Sequence, residues 1–397
     1  MHKRLFPLLF LLFAILFPFV AYAEGAEEEN PLVSVRDEAE SLLDSYDLSL
    51  WQQTSDNLLG RSGAGAGAMN VRDTVLSFIN GAKVLDGRNA FEKILELFVQ
   101  SFRQSAGLMA ALIVPALFAG ILSRMRASFE NDMVTTVGTY VAYLLVAIAA
   151  VKYFFAELTQ VRAVVTAMAN GMQALFPLLL TLLAAVGGTS SSAFFQPAIV
   201  AASGTMTALV KNVTMSLAIA AALVTALSHI TPHFALKKLL ALLKTVSNWS
   251  LGICFTVFIG VMAVQGFGAA AMDGVSLRTA KYAIDNFVPV VGGMFADTMD
   301  TLIACSLVVK NALGATGFVI LVGACVVPLT RILTTSLVFR MSAAILEPVG
   351  DENVVNLLSD FAGVMTMLFT ILLSVAAMFF LLIAQLILVG NLTVMLR

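Results

Sequence analysis

The sequence has few charged residues, few cysteines and no excess of either sign of charge. Only 12% of its 397 residues are charged, whereas 59% are hydrophobic, and a soluble domain carries about twice that charged fraction. The net charge of −2 gives no electrostatic basis for binding nucleic acid. The three cysteines lie in or beside apolar stretches without the spacing of zinc or redox sites, which is typical of small core residues. These deficits favour a membrane protein over a soluble enzyme.

Common catalytic motifs are also missing from the sequence. It has no Walker, Gly-x-Ser-x-Gly or His-Glu-x-x-His motif. His229 and His233 have a spacing found in zinc sites, but Pro232 interrupts the helix that would aim them together and no third ligand is near. The glycine and serine run at 187–192 lacks the lysine of a phosphate loop and is interpreted as a turn between spans. We therefore predict no catalytic residue, no metal site and no cofactor.

The N-terminus has the layout of a cleavable signal peptide. Lys3 and Arg4 are basic, residues 5–20 are apolar, and Ala21-Tyr22-Ala23 has the small residues of a cleavage site. We therefore predict a signal peptide at 1–23 and a mature chain that begins at Glu24, outside the cytoplasmic membrane.

Residues 24–105 are predicted to form an exported, extracytoplasmic helical head. Its first part, 24–50, has nine acidic residues and one basic residue, and acidic segments are translocated more readily than segments rich in Lys and Arg. Apolar residues recur at helical spacing around Leu42 and again from about Val71 to Phe102. The Gly-Ala run at 63–68 is typical of a flexible linker.

Residues 106–397 are predicted to form a multi-span transmembrane domain, because long stretches of this part carry no charge. The block 198–230, interrupted by Lys211, is either one long broken helix or two short ones. The predicted fold class is therefore all-α: a polytopic integral membrane protein with seven or eight transmembrane helices and an exported helical head. The other candidate spans are about 106–123, 133–151, 172–187, 246–271, 312–330 and 361–390.

Basic residues predict how these spans are oriented, because Lys and Arg are retained in the cytoplasm. With the head outside and the spans given above, the basic clusters all reach the cytoplasm only if the block 198–230 crosses twice. This favours eight spans and puts residues 273–300 outside. The residues expected on the cytoplasmic side are Arg124, Arg126, Lys237, Lys238, Lys244, Arg331 and Arg340.

The densest polar stretch of the transmembrane part lies between residues 273 and 310. Arg278, Lys281 and Asp285 are spaced by three and four residues and so form one stripe of an amphipathic helix at the interface. Pro289 and a following glycine hinge are expected to end this helix. The candidate residues for assembly or for a polar path are Asp273, Arg278, Lys281, Asp285, Gly292, Gly293, Asp297, Asp300 and Lys310.

Lys310 interrupts the next apolar segment, and an ionisable group at membrane depth is costly unless it is paired or faces water. Asp297 and Asp300 are its natural partners by position. Two interpretations remain open. Either these charges line a polar path or hold a subunit interface, or they form a solvated face from which Lys310 extends to the lipid headgroups.

The same stretch contains an unusual combination of residues. It includes Asp273-Gly274, Lys-Tyr-Ala at 281–283, Phe-Val-Pro-Val-Val-Gly-Gly at 287–293, Asp297, Asp300-Thr301 and Lys-Asn-Ala-Leu-Gly at 310–314. This combination resembles the central signature of the stage III sporulation protein AE family of endospore-forming bacteria, and the resemblance extends over nearly the whole chain.

That resemblance implies a non-enzymatic membrane subunit of a secretion-like channel, or feeding tube, between mother cell and forespore, required for sporulation after engulfment. The implied partners are other stage III sporulation proteins, namely a secretion-type ATPase and ring-forming proteins, together with a forespore membrane partner. The implied location is the mother-cell-derived membrane around the forespore.

Two other function classes compete with this one. Prolines at 177, 197 and 328 that would break spans suit a self-contained small-molecule permease, although such a protein usually has two related halves and no internal repeat is evident here. An intramembrane enzyme would need a nucleophile–base pair or a metal at bilayer depth, and only the two histidines described above come near that requirement.

Overall fold

The computed structural model is helical in nearly all of the residues that it describes, which are 32–62, 69–81, 87–125, 132–228, 236–287 and 292–395. The predicted signal peptide and the Gly-Ala linker lie outside these ranges. The helices are α1 (Leu32–Asp44), α2 (Ser49–Ser62), α3 (Val71–Ile79), α4 (Gly87–Gln104), α5 (Ala106–Met125), α6 (Asp132–Ala185), α7 (Thr189–Leu209), a π-helical turn (Val210–Thr214), α8 (Met215–Ser228), α9 (Lys237–Phe287), α10 (Gly292–Leu346) and α11 (Glu352–Met395).

The head helices, α1 to α4, pack on the long helices of the same chain. A methyl group on Gly171 of α6 would lie 3.7 Å from Leu58 of α2, and one on Gly323 of α10 would lie 3.3 Å from Leu59. The thiol of Cys305 in α10 donates to the carbonyl of Val35 in α1 at 3.6 Å. The two glycines give α2 a smooth surface to pack on, so the head shares a core with the bundle.

Within the described ranges, six helical rods are long and apolar enough to cross a membrane, against the seven or eight that we expected. The spans predicted at 133–151 and 172–187 are parts of one helix, α6, which has 54 residues and continues through Pro177. The block 198–230 does not cross twice: α7, the π-helical turn and α8 form a single rod over Thr189–Ser228. Six rods alternate in direction just as eight would, so Arg124, Lys237 and Lys238 still fall at the same end of the bundle, whereas Arg331 lies well inside its rod. The side of the membrane that this end faces stays a prediction.

One end of the bundle, which we call the basic end, is defined by Arg124, Lys237 and Lys238. Arg124, near the end of α5, donates to the carbonyl of Pro348 just after α10. Tyr143 of α6 donates to the carbonyl of Ala226, near the end of α8, at 2.7 Å. The ends of α5, α8 and α10 therefore lie together.

The opposite end, which we call the turn end, is defined by the tight connection between α6 and α7 at residues 186–188. The N–H of Gly187 donates to the carbonyl of Ala184 at 3.0 Å, and that of Gly188 donates to Leu183 at 2.9 Å. This pair of bonds is a Schellman motif, and it needs a residue with positive φ, which Gly187 supplies at 96°. The turn predicted at 187–192 is thus present at 186–188, whereas Thr189 to Ser192 already belong to α7.

The amphipathic helix predicted around Arg278 is not a separate element, because α9 continues without a break from Lys237 to Phe287. Gly292 and Gly293 form the first turn of α10 rather than a hinge. Pro289 lies in the segment 288–291, which is outside the described residues.

Candidate functional site

Of the nine candidate residues, the structure describes the side chains of Asp273, Asp300 and Lys310. Asp300 is half-buried, whereas the other two are almost completely buried. The backbone is helical at the remaining candidates, but their side chains lie outside the described part of the chain, so the polar stripe on α9 stays a prediction. These remaining candidates are Arg278, Lys281, Asp285, Gly292, Gly293 and Asp297.

Asp273 of α9 caps the N-terminus of α7, which its own sequence leaves uncapped. Gly188 stands at the N-cap position and has no side chain to accept from the first N–H groups of the helix. The two carboxylate oxygens of Asp273 instead accept from the N–H of Ser190 at 2.8 Å and of Ser191 at 2.9 Å. The helix dipole at this terminus also favours a negative charge. Asp273 therefore fixes α9 to the α6–α7 turn.

Lys310 of α10 donates to the backbone of α11. Its ammonium group lies 3.2 Å from the carbonyl oxygen of Leu386 and 3.1 Å from that of Ile387, and only 1% of the residue is exposed. The predicted pairing with Asp300 is wrong, because ten residues along one helix place the two about 15 Å apart. The side chain of Asp297, the other partner considered, is outside the described residues.

Small residues let α10 and α11 approach closely around Lys310. A methyl group on Gly390 would lie 1.7 Å from the Lys310 nitrogen, and one on Gly314 would lie 2.6 Å from Ile387. Beside them, the amide of Asn311 donates to the side chain of Asn391 at 3.1 Å. Lys310, Asn311, Gly314, Gly390 and Asn391 form what we call the lysine junction, a close polar contact between two otherwise apolar helices.

A buried ion pair that the sequence reading missed joins α6 to α10. Arg331 donates to the carboxylate of Glu157 at 2.9 Å; the Glu157 side chain is 4% exposed and that of Arg331 is 47% exposed. Arg331 is 15 residues from the end of α10, or about 22 Å from the basic end where it was expected. One acidic residue among apolar residues at 153–158 was the available signal for such a pair.

The buried charges described so far are all engaged in contacts between helices. Asp273 binds backbone N–H groups, Lys310 binds carbonyl oxygens, and Glu157 binds an arginine. Among the described residues there is no group of three or more His, Cys, Asp and Glu that could hold a metal ion. His229 and His233 lie outside those residues. The arrangement joins helices of one chain firmly.

Comparison with known proteins agrees with the resemblance seen in the sequence. The family model for stage III sporulation protein AE (spore_III_AE) matches residues 69–390. A curated relative, stage III sporulation protein AE of Bacillus subtilis (strain 168), is 32% identical over 326 residues, which are 82% of this chain and 82% of the relative. No solved structure matches the chain.

Proposed function

We propose, from the premise that this chain belongs to the stage III sporulation protein AE family, that it is a non-enzymatic membrane subunit of the secretion-like channel between mother cell and forespore. It acts after engulfment, in the mother-cell-derived membrane around the forespore. Its partners are a secretion-type ATPase, ring-forming stage III proteins and a partner in the forespore membrane.

Family membership over residues 69–390 is the observation that carries this proposal. The match includes five of the six apolar rods and nearly all of the sixth, together with four of the five residues of the lysine junction, and leaves out residues 1–68 and 391–397. The use of Asp273, Lys310 and Glu157 in helix contacts supports a role in assembly rather than catalysis, because a catalytic side chain must remain available to its substrate.

Deletion of the gene in a sporulating strain tests the proposal. We expect engulfment to be completed, late forespore gene expression to fail and heat-resistant spores to be lost, with all three restored by a wild-type copy. A reporter expressed in the forespore before engulfment serves as the control. A deletion strain that forms normal numbers of heat-resistant spores would refute the proposed role.

Affinity purification of the tagged protein from sporulating cells tests its assembly with partners. We expect the secretion-type ATPase and the ring-forming proteins to co-purify, and the same tag on an unrelated multi-span protein to recover neither. Recovery of the chain without other stage III proteins, after crosslinking in intact cells, would contradict the assembly role.

A self-contained permease is the second candidate, and the helix interruptions favour it. Pro177, Pro197 and Pro328 lie inside α6, α7 and α10, and the rod α7–α8 contains a π-helical turn at Val210–Thr214. Such discontinuities form binding sites in transporters. Purified protein in liposomes, assayed for uptake of small metabolites without its partners, would show transport only if this second candidate is correct.

A further inference from the structure

The long helices of the bundle exceed the thickness of a bilayer. At 1.5 Å per residue, α6 with 54 residues and α10 with 55 residues each extend about 80 Å, whereas the hydrocarbon core of a membrane is about 30 Å thick. A tilt of roughly 20°, typical of membrane helices, shortens the projected length only slightly. A large part of both helices therefore lies outside the hydrocarbon.

Charged residues mark a boundary on four of the rods. From the exposed Arg103 to Arg124, at the basic end, α5 and its flanks extend about 31 Å without another charge. Lys152 is exposed at about 30 Å from the start of α6, and Arg331 is exposed at about 22 Å from the end of α10. Lys211, at the π-helical turn, is about 26 Å from the end of α8. Three rods thus reach an exposed charge about 22 to 31 Å from the basic end. On the fourth rod the partly buried Lys211 lies at a similar distance, although Phe194 and Val200 are still exposed beyond it.

The exposed surface of α6 changes character at this boundary. From Val137, where the described side chains of α6 begin, to Lys152, the exposed large side chains are apolar, with Val141 50% and Ile148 64% exposed. Beyond Phe155, toward the turn end, the exposed faces have mainly polar residues. These are Thr159, Arg162, Asn170, Gln173 and Thr181.

The head covers the part of α10 that lies beyond the boundary. No residue of α10 from Ile303 to Thr330 is exposed, and exposure resumes at Arg331. The head that packs here has a polar outer surface, including an Arg72–Asp44 ion pair whose side chains are 49% and 55% exposed. A surface of this kind is not compatible with hydrocarbon, so the helices beside it do not lie in hydrocarbon either.

From these four observations we propose that the bilayer encloses only the half of the bundle between the basic end and the level of Lys152, Lys211 and Arg331. The other half, with the head, projects from the membrane. On α6 alone the projecting part, from Lys152 to Ala185, extends about 50 Å. The basic end faces the cytoplasm, because it carries Arg124, Lys237 and Lys238, and the projecting half lies outside.

The apolar belt is oblique rather than level. On α9 it extends farther from the basic end, through Trp249 (69% exposed) to Val264 (77% exposed), which is the pattern of a bundle that leans in the membrane. Between α5 and α6 the belt contains an apolar groove of about 650 Å³, a surface that suits acyl chains of the proposed layer. It is lined by residues that include Val114, Pro115, Phe118 and Val141.

Three charged residues inside the belt, namely Lys244, Arg340 and Asp360, lie close to its cytoplasmic edge. Lys244 and Arg340 are each about 10 Å along their helices from the basic end. Lys244 interacts electrostatically with Asp360 of α11, and Arg340 donates to the hydroxyl of Thr366 at 3.2 Å. Long basic side chains at this depth reach the headgroups, so these residues are compatible with the proposed layer.

If the chain lies in the membrane around the forespore, as the proposed function has it, the projecting half extends into the space between the two membranes. That location rests on the proposed function, but the division of the bundle does not. In that space the projecting half, rather than the belt, presents surface to ring-forming partners. The spans predicted at 172–187 and 312–330 then lie outside the bilayer.

Cysteine labelling along single rods tests the division. Starting from a chain with its three native cysteines replaced by alanine, Gln173→Cys and Thr205→Cys place thiols at exposed positions of the projecting half. Val141→Cys and Leu223→Cys are matched controls on the same rods inside the belt. Protoplasts expressing each variant are treated with a membrane-impermeant maleimide, before and after solubilisation in detergent.

We expect Gln173→Cys and Thr205→Cys to be labelled in intact protoplasts, at least tenfold more than the two belt variants, which become labelled only in detergent. Protection of Gln173→Cys and Thr205→Cys until detergent is added would overturn the proposal. Labelling of Gln173→Cys and Thr205→Cys only after the protoplasts are opened would place the projecting half in the cytoplasm, and this result would also overturn the proposal. A variant that fails to fold is recognised by its aggregation in detergent. The second cysteine position in the same half of the bundle then tests whether that half is exposed to water. A deletion strain that sporulates normally would refute the proposed function but would not alter the labelling pattern. The proposed function and the proposed division of the bundle can therefore fail separately.

Discussion

Substitution of Gly390 by alanine is expected to destabilise the lysine junction. The new methyl group would lie 1.7 Å from the Lys310 nitrogen and 2.7 Å from its Cε, which are about half and about three quarters of the distance at which such atoms normally touch. With 1% of Lys310 exposed, the ammonium group has no nearby water to move into. The ammonium group must therefore give up its hydrogen bonds to the carbonyl groups of Leu386 and Ile387. A hydrogen bond to a charged group contributes about 1.5–3 kcal/mol to stability. The expected loss is about 3–5 kcal/mol.

Lys310→Met supplies the matched comparison. It removes the charge and the clashing nitrogen but keeps a long side chain, and the two carbonyl groups retain their bonds within α11. We expect it to cost less than about 1.5 kcal/mol, because replacing a buried polar group by an apolar one of similar volume is often nearly neutral. Adding Gly390→Ala to Lys310→Met should then cost much less than adding it to the wild type, which a double-mutant cycle measures as a coupling of about 2 kcal/mol or more.

The assay is the midpoint of thermal unfolding of purified protein in detergent, for the wild type, both single variants and the double variant. Gly390→Ala should have the lowest midpoint, and the double variant should lie close to Lys310→Met. A Gly390→Ala protein that unfolds at the wild-type temperature, or a double variant no more stable than Gly390→Ala, would show that Lys310 does not occupy this niche. If Lys310→Met is stable but fails to restore sporulation to the deletion strain, Lys310 has a role beyond packing.

Five further substitutions test three other contacts by the same thermal assay. Asp273→Ala leaves the N–H groups of Ser190 and Ser191 without a partner and should cost about 2–4 kcal/mol, whereas Asp273→Asn, which keeps one acceptor, should cost less; equal midpoints would contradict the capping role. Arg331→Ala leaves the buried Glu157 carboxylate without its cation and should cost about 1–3 kcal/mol, because half of the arginine side chain is exposed and water weakens the pair. Glu157→Gln should cost less, and the reverse order would argue against the pair. Asp44→Asn breaks only the exposed pair with Arg72 and should leave the midpoint nearly unchanged. A clear loss would mean that this pair is shielded from water.

The class of the protein and several local features were predictable because they depend on residues close together in sequence. The absence of charge over long stretches predicted membrane helices, and the adjacent glycines at 187 and 188 predicted the turn that the structure has there. The resemblance carried by residues 273–314 predicted the family, which the comparisons confirm.

Contacts between distant residues could not be predicted in the same way. Nothing near Asp273 in the sequence indicates that it caps a helix 83 residues earlier in the chain. Acidic partners were predicted for Lys310 because its actual partners are backbone carbonyl groups 76 and 77 residues away, which no side chain marks in the sequence. The spans at 133–151 and 172–187 were separated because charges at 152, 157 and 162 lie between them. In the structure those charges mark a boundary along one continuous helix, where Glu157 finds its cation on α10.

The most direct test of a bundle that is half inside and half outside the bilayer is fluorescence quenching of single tryptophans in lipid vesicles. The chain has two, Trp51 and Trp249. With Trp51→Phe, the exposed Trp249 of the belt should be quenched by lipids brominated on their acyl chains and little by aqueous acrylamide. With both native tryptophans replaced by phenylalanine, Gln173→Trp in the projecting half should give the opposite pattern. Quenching of Gln173→Trp by brominated lipid, to the same extent as Trp249, would contradict the division of the bundle at Lys152 and Arg331.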